Sequence, residues 1–235
     1  ERSNFNSLGF RGTEFSEVKP PNTYRIFMVG GSTMIGSGGA SDETTIPGIL
    51  QKIFDSDNSM QKIEVINAGF SGGNSNTESK LIEQKLVRFS PDLIIIYDGM
   101  NDLRTGNFPN DLKENWKAIC EFGKENDFDV IISLHSIAGF GNKVLTKQEL
   151  EYTQTTEYYN KNSLVESLSV YQDYAKNLLE IKNCAKTIDL RDVFDDEVGP
   201  IYWDEVHVSD RGNAIVAKSL YNVTFPFVLK NKEFN

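Results

Sequence analysis

Cysteine, histidine and long apolar runs are all scarce in this chain of 235 residues. The two cysteines, Cys120 and Cys184, lie in apolar segments, where cysteine commonly behaves as a small core residue. Their spacing relative to the two histidines matches no zinc-binding pattern, so we expect no metal. Whether the cysteines pair stays open. No apolar run reaches the roughly 18 residues of a membrane span.

Positive charge is also in short supply, because 24 Lys and Arg face 34 Asp and Glu, for a net charge of −10. Phosphate backbones and anionic membranes bind clustered Lys and Arg, so this balance argues against nucleic acid as a partner. Repeats, low-complexity tracts and linkers are absent as well. We therefore predict a leader at residues 1–23 and a single domain at residues 24–235. Oligomeric state is not readable.

Short apolar runs alternate with helical patterns along the chain, which predicts one five-stranded parallel sheet with helices on both faces. The predicted strands lie at residues 24–29, 63–66, 92–97, 129–134 and 185–190. The predicted helices lie at residues 45–54 (with Thr44 as N-cap), 77–89, 111–124, 147–159, 163–181 and from the Ser209 cap to 221.

Ligands of such sheets bind beyond the carboxyl ends of the strands, and several polar blocks stand there. The sequence GGST (30–33) follows the first strand, NAGFSGG (67–73) the second and DGMND (98–102) the third. A loop after the fifth strand carries WDEVH (203–207).

These blocks contain the parts of a nucleophilic serine site. A serine hydroxyl needs a base within hydrogen-bond reach, and histidine is the side chain best suited to that work near neutral pH. Ser32 is the candidate nucleophile and His207 the candidate base, with Asp204 three residues earlier to orient the imidazole. An oxyanion hole requires preorganised donors, for which we predict the N–H groups of Ser32 and Gly72 and the amide of Asn101.

The four blocks together resemble the SGNH hydrolases, also called the GDSL family of lipases and esterases. That family is named for a Ser, a Gly, an Asn and a His in chain order, which match Ser32, Gly72, Asn101 and His207. The sequence GMND (99–102) is similar to the family's Gly-x-Asn-Asp, and DEVH (204–207) to its Asp-x-x-His. The resemblance runs over residues 24–220 and implies a flavodoxin-like α/β/α sandwich, a Ser-Asp-His triad and no cofactor or metal.

Two departures bear on the assignment. The family's Gly-Asp-Ser-Leu is GGST here, so the Asp and the Leu are missing. The Gly-x-Ser-x-Gly elbow of α/β-hydrolases fails because Met34 replaces its second Gly, and no Gly-Lys-Ser/Thr follows to make a phosphate-binding loop. A flavodoxin-like ligand-binding module is the non-enzymatic alternative, and it leaves Asn101 and the Asp204–His207 pair unexplained.

The expected activity is hydrolysis of a carboxylic ester through an acyl-enzyme, with a short acyl group such as acetyl, on a small molecule or a glycan. An O-acyltransferase with the same triad, a lipase and a thioesterase are alternatives. His135 is a candidate pocket residue or a core histidine, and Trp203 a candidate substrate contact. The leader sequence NSLGFRG (6–12) resembles that of relatives that act on surface glycans or sit near membranes. Together with a chain that starts at Glu1, it favours a location outside the cytoplasm, secreted or tethered.

Overall fold

The computed structural model describes residues 4–37, 41–57, 61–154 and 164–233. A single parallel sheet forms its centre, with the strand order β2-β1-β3-β4-β5. The strands are β1 (Thr23–Gly30), β2 (Lys62–Asn67), β3 (Leu93–Asp98), β4 (Asp129–Leu134) and β5 (Lys186–Asp189). This is the strand order of the flavodoxin-like sandwich, so the predicted fold class is confirmed.

Helices cover both faces of the sheet, as its buried central strands require. In chain order they are α1 (Ser32–Ile35), α2 (Ile46–Asp55), α3 (Ser75–Leu81), α4 (Met100–Thr105), α5 (Pro109–Glu125), α6 (Lys147–Tyr152), α7 (Leu164–Glu180) and α8 (Asp210–Glu233). Helices α2 and α8 bury their apolar sides on one face, and α3, α5 and α7 bury theirs on the other.

Several predicted boundaries are wrong. Thr45, not Thr44, is the N-cap of α2, because its hydroxyl accepts the N–H of Gly48 at 3.1 Å. The helix predicted over 77–89 begins at Ser75, since Asn74 caps it, and then passes through a π turn at Ile82–Leu86. Helix α6 ends at Tyr152, and the rest of the helix predicted to 159 falls partly in 155–163, outside the described residues.

The last helix is also longer than predicted, and the reason is packing. Ser209 caps it as expected, with its hydroxyl accepting the N–H of Gly212 at 3.3 Å. It then runs past Tyr221 to Glu233, even though Pro226 lies inside it. A proline in a helix removes one backbone hydrogen bond, but the next turn buries Val228 completely in the core.

The leader is built into the fold. Phe10 and Phe15 pack with Phe27 of β1 and Phe89 in an aromatic cluster whose ring centroids lie 5.5–6.1 Å apart. Residues 4–22 thus supply part of the hydrophobic core. The division into a leader and a domain at residue 24 stays a prediction.

The structure settles the question of the cysteines. Cys120 of α5 and Cys184, between α7 and β5, form a disulfide with their Cα atoms 4.8 Å apart. This bond ties α5 to the segment that joins α7 to β5. Within the described ranges, no helix is both long and apolar enough to cross a bilayer.

Candidate active site

Ser32, His207 and Asp204 come together at the carboxyl end of the sheet although 175 residues separate the serine from the histidine. His207 Nε2 lies 2.7 Å from Ser32 Oγ, and His207 Nδ1 lies 2.7 Å from Asp204 Oδ2. One imidazole therefore bridges the hydroxyl and the carboxylate. This is the geometry in which a histidine accepts a hydroxyl proton while a carboxylate fixes its tautomer.

The loop that carries Asp204 and His207 is closed by local hydrogen bonds. Asp204 Oδ1 accepts the N–H of Val206 at 2.8 Å and of His207 at 2.7 Å, so the carboxylate caps its own loop. Burial would raise the pKa of Asp204, but the hydrogen bonds from His207 and these N–H groups outweigh it and lower that pKa. The Trp203 N–H donates to the His207 carbonyl at 2.8 Å and closes the loop from the other side.

A buried ion pair holds the start of this loop. Glu149 of α6 accepts the N–H groups of Ile201 and Tyr202 at 2.8 and 3.1 Å on one oxygen. Its other oxygen accepts the Thr146 N–H at 2.8 Å and the Lys143 ammonium at 3.1 Å. Burial opposes ionisation, yet these donors lower the pKa of Glu149 to about 2. The sequence analysis did not find this anchor, because the two N–H groups that tie Glu149 to the base loop lie 52 and 53 residues away.

The nucleophile segment is fastened from the leader. Ser32 is the first residue of α1, directly after Gly31. Arg11 reaches the other end of this short helix, where its guanidinium donates to the carbonyls of Ile35 at 2.7 Å and Gly36 at 3.0 Å. The same guanidinium pairs with Asp42 at 2.7 Å. Arg11 is therefore structural, and it supplies the positive charge that a helix C-terminus favours.

Asn101 stands opposite the serine, and its amide explains why the chain has glycine at position 31. Asn101 Nδ2 donates one hydrogen bond to the Gly73 carbonyl at 2.6 Å, which leaves its second N–H available. A Cβ at Gly31 would lie 2.3 Å from that Nδ2, so a side chain there would displace the amide. With Asn101 in this position, the aspartate of the Gly-Asp-Ser-Leu pattern would require the amide to shift.

Two backbone N–H groups lie on the same side of the site as Asn101. The N–H groups of Ser32 and Gly72 have no acceptor within the described ranges. Gly72 adopts φ +74°, a left-handed conformation that glycine accepts without strain. Asp102 fixes the neighbouring segments, because its carboxylate accepts the hydroxyl of Ser75 at 2.6 Å and the amide of Asn107 at 2.7 Å. The carboxylate thus links α4, which carries Asn101, to α3, which follows Gly72.

His135 and Trp203 take different positions. His135 is only 3% exposed, stacks on Tyr97 and lies 2.9 Å from Thr33 Oγ1 through Nε2. Burial, followed by the proximity of His207, lowers the pKa of His135 to about 3, so this ring is neutral at ordinary pH. Trp203 is 60% exposed beside Asp204 and is free to contact a ligand.

Little enclosed space adjoins the serine. A cavity of about 10 Å³, lined by residues that include Ser32, Asn101, His135 and Val206, lies at the site. That volume is at the lower limit for one water molecule. A larger groove of about 690 Å³ runs along the outer edge of β2 and contains none of the residues of the serine site. Ser32 is thus partly exposed, and the enclosed space beside it is small.

Comparison with known proteins identifies the family and the fold. The model of the GDSL-like lipase/acylhydrolase family matches residues 28–215. No curated protein sequence matches the chain. Among solved structures, the acetyl xylan esterase AlAXEase is 18% identical with a TM-score of 0.63, covering 85% of this chain and 98% of its own.

Two further solved structures share the fold. A variant of the acetyl-xylooligosaccharide esterase Axe2 from Geobacillus Stearmophilus is 15% identical with a TM-score of 0.62, covering 85% of this chain and 93% of that one. The two-domain esterase CEX, active on acetylated mannans, is 16% identical with a TM-score of 0.60; the match covers 88% of this chain and 49% of the CEX chain. On the family match, the protein belongs to the GDSL-like lipase/acylhydrolase family and is a carboxylic ester hydrolase.

Proposed function

We propose that the protein cleaves esters through a covalent acyl-enzyme on Ser32, with His207 as general base and Asp204 as its orienting carboxylate. The observation that carries the proposal is the unbroken chain of two 2.7 Å contacts from Ser32 Oγ through the imidazole to Asp204. An isolated serine hydroxyl is a poor nucleophile, and a base held at this distance removes that obstacle.

The first half-reaction forms the acyl-enzyme. Ser32 Oγ attacks the ester carbonyl carbon while its proton passes to His207 Nε2, and the carbonyl oxygen becomes an oxyanion. The N–H groups of Ser32 and Gly72 and the second amide N–H of Asn101 stabilise that charge. As the bond between carbon and the leaving oxygen breaks, His207 gives its proton to the departing alcohol.

The second half-reaction reverses these roles with water. His207 takes a proton from water, the hydroxide attacks the acyl carbon, and the bond to Ser32 Oγ breaks as Oγ regains a proton from His207. The released product is a carboxylic acid. Asp204 stays ionised throughout and stabilises the imidazolium that forms in both steps.

The proposed substrate is a short acyl ester, preferably acetyl, on a carbohydrate. The enclosed space beside Ser32 is only about 10 Å³, so it cannot take up an octanoyl chain, and this favours a short acyl group. The open surface around Ser32 and the exposed Trp203 suit a large alcohol such as a glycan. Structural neighbours that act on acetylated xylan, xylooligosaccharides and mannans support the same substrate class.

Hydrolysis of p-nitrophenyl acetate, butyrate and octanoate tests both parts of the proposal. We expect activity that falls with acyl length, is abolished in Ser32→Ala and drops on the order of 10²–10³-fold in Asn101→Ala. Full activity in Ser32→Ala would refute the acyl-enzyme on that residue. A preference for octanoate would refute the short-acyl assignment and favour a lipase or thioesterase.

Acetylated oligosaccharides then test the alcohol part and distinguish hydrolysis from O-acyl transfer. Release of acetate that is unaffected by an added sugar acceptor indicates a hydrolase. Acetylated acceptor formed at the expense of acetate would instead identify a transferase that uses the same residues.

A further inference from the structure

A pair of buried carboxyl groups lies behind the oxyanion side of the site. Glu78 of α3 is completely buried and Asp98, the last residue of β3, is 2% exposed. The two carboxyl groups lie next to each other. Within the described residues, neither oxygen of Glu78 nor Oδ2 of Asp98 has an N–H or hydroxyl donor as partner. Carboxylates without donors are strongly disfavoured in a protein interior.

No positive side chain among the described residues neutralises the Glu78 and Asp98 carboxyl groups. Neither Glu78 nor Asp98 takes part in an ion pair with the described Lys, Arg or His residues. Among the described residues, no group of His, Cys, Asp and Glu side chains is arranged to hold a metal ion. Asp102 of α4 adds a third carboxyl close by, and the facing side chains from α7 are the neutral phenols of Tyr171 and Tyr174.

A proton is the remaining way to make the contact favourable. Burial raises the pKa of Glu78 well above its ordinary value, and its negative neighbours Asp98 and Asp102 raise it further. Burial raises the pKa of Asp98 to about 7, although the Glu78 hydroxyl and two backbone donors favour its ionised form. Glu78 is thus the protonated partner, and its hydroxyl donates to Asp98.

The pair connects directly to the predicted oxyanion donors. The backbone N–H groups of Gly99 and Asn101 face the Asp98 carboxyl and favour its ionised form, which places this carboxyl against the first turn of α4. Asp98 is also one of the residues that line the small cavity beside Ser32, together with Asn101. Glu78 lies six residues after Gly72 on the segment that supplies the other donor. A bond between Glu78 and Asp98 therefore ties the two donor segments together.

We infer that Glu78 and Asp98 share a proton and act as positioning residues that set the placement of the Asn101 amide for oxyanion stabilisation. This inference rests on the proposed role of Asn101 in the reaction. Glu78 is completely buried, so the pair is assigned no direct part in the bond-making steps. It acts through Asn101, and its loss should reduce kcat while leaving KM nearly constant, because an oxyanion exists only in the transition state.

The shared proton is tested without any enzyme assay. Infrared spectra in D₂O at neutral pH should contain the C=O stretch of a protonated carboxylic acid in the wild-type protein. That band should be lost in Glu78→Gln, and Glu83→Gln, which alters an exposed carboxylate of the same helical segment, should keep it. Absence of the band from the wild type, or its persistence in Glu78→Gln, would overturn the shared proton.

The positioning role is tested by a double-mutant cycle with p-nitrophenyl acetate. Glu78→Leu removes the donor to Asp98, and we expect kcat to fall about tenfold with KM within about twofold. Glu78→Gln restores a donor and should recover most of the loss. In an Asn101→Ala background Glu78→Leu should cost less than about twofold, because the group it positions is already gone.

Additive losses in the cycle would overturn the inference, since they would mean that Glu78 acts elsewhere than through Asn101. If Glu78→Leu does not fold, Asp98→Asn takes its place in the same cycle, with the same expected non-additivity. Failure of the proposed function looks different: wild-type protein would then lack Ser32-dependent esterase activity, and the infrared band would still report on the proton.

Discussion

The two halves of the proposed active site are held in opposite ways. On the base side, Asp204 and His207 belong to one loop of four residues that closes on itself through the Asp204 carboxylate. On the oxyanion side, Gly72 and Asn101 come from different strand ends and are joined by contacts that cross 27 or 28 residues. The base side is thus a local motif, whereas the oxyanion side exists only in the folded sheet.

The largest effect is expected from breaking the local half. Asp204→Asn keeps the shape of the side chain but no longer favours the imidazole tautomer with Nε2 free to accept the Ser32 proton. We expect kcat to drop on the order of 10³–10⁴-fold with little change in the melting temperature. Steady-state kinetics with p-nitrophenyl acetate measure the drop. A loss below about tenfold would remove Asp204 from the triad.

The next largest effect should come from the oxyanion half, at a residue with no reactive group. Gly31→Ala places a methyl carbon 2.3 Å from Asn101 Nδ2 unless the amide moves. We expect kcat to fall about 10–100-fold, less than removal of the amide itself, with KM almost unchanged. Gly199→Ala is the matched control, because a Cβ there meets nothing within 4 Å. Equal activity of both variants would show that Asn101 needs no such clearance.

A smaller effect on turnover, but a clear one on stability, is expected at the anchor of the base loop. Glu149→Gln leaves the buried Lys143 without its counter-charge, which we expect to cost about 3 kcal/mol at pH 7 and to lower kcat a few-fold. The exposed Glu151 of the same helix provides the control Glu151→Gln.

The loss of stability in Glu149→Gln should depend on pH, because the pKa of Glu149 is lowered in the folded protein. A carboxyl with a folded-state pKa of about 2, below its ordinary 4.5, stabilises the fold above pH 4.5 and loses that contribution as pH falls toward 2. The difference in melting temperature between wild type and Glu149→Gln should therefore shrink over this range. A difference that is constant from pH 7 to pH 2 would contradict the ionised anchor.

The smallest effect on turnover is expected from the disulfide, which belongs to neither half. Replacing Cys120 and Cys184 by serine opens a link across 64 residues, and we expect a loss of about 4 kcal/mol in the free energy of unfolding. kcat at 25 °C should remain within about twofold of wild type. Chemical denaturation and the esterase assay measure the two quantities, and a tenfold loss of kcat would link α5 to the site.

The same division explains what could be predicted from the sequence. The order and type of the strands follow from apolar runs and turn residues, and Asp204 with His207 is recognisable as a short motif. Gly31 is a different case: its neighbour Asn101 is 70 residues away, so the chain shows only an unexplained departure from Gly-Asp-Ser-Leu. Glu78 and Glu149 lie on helices that read as ordinary amphipathic segments, and their burial depends on tertiary packing.

The ends of elements were the other part that local patterns missed. Pro226 is a good reason to end a helix from the sequence, and the fold overrides it because Val228 has a place in the core. Thr44 and Thr45 are equally suitable N-caps of α2 from the sequence alone, and only the backbone path shows which hydroxyl reaches a free N–H group. The disulfide likewise depends on α5 and α7 being neighbours on one face.

The contacts of Arg11 have a practical consequence for protein engineering. A shortened chain that started at Tyr24 would take away the cation that closes α1, leaving the carbonyls of Ile35 and Gly36 without their donor. It would also strip two aromatic rings from Phe27. The polar, irregular first residues look like a dispensable tail, yet fusion or truncation within them would remove contacts that fix the position of α1 and therefore of Ser32.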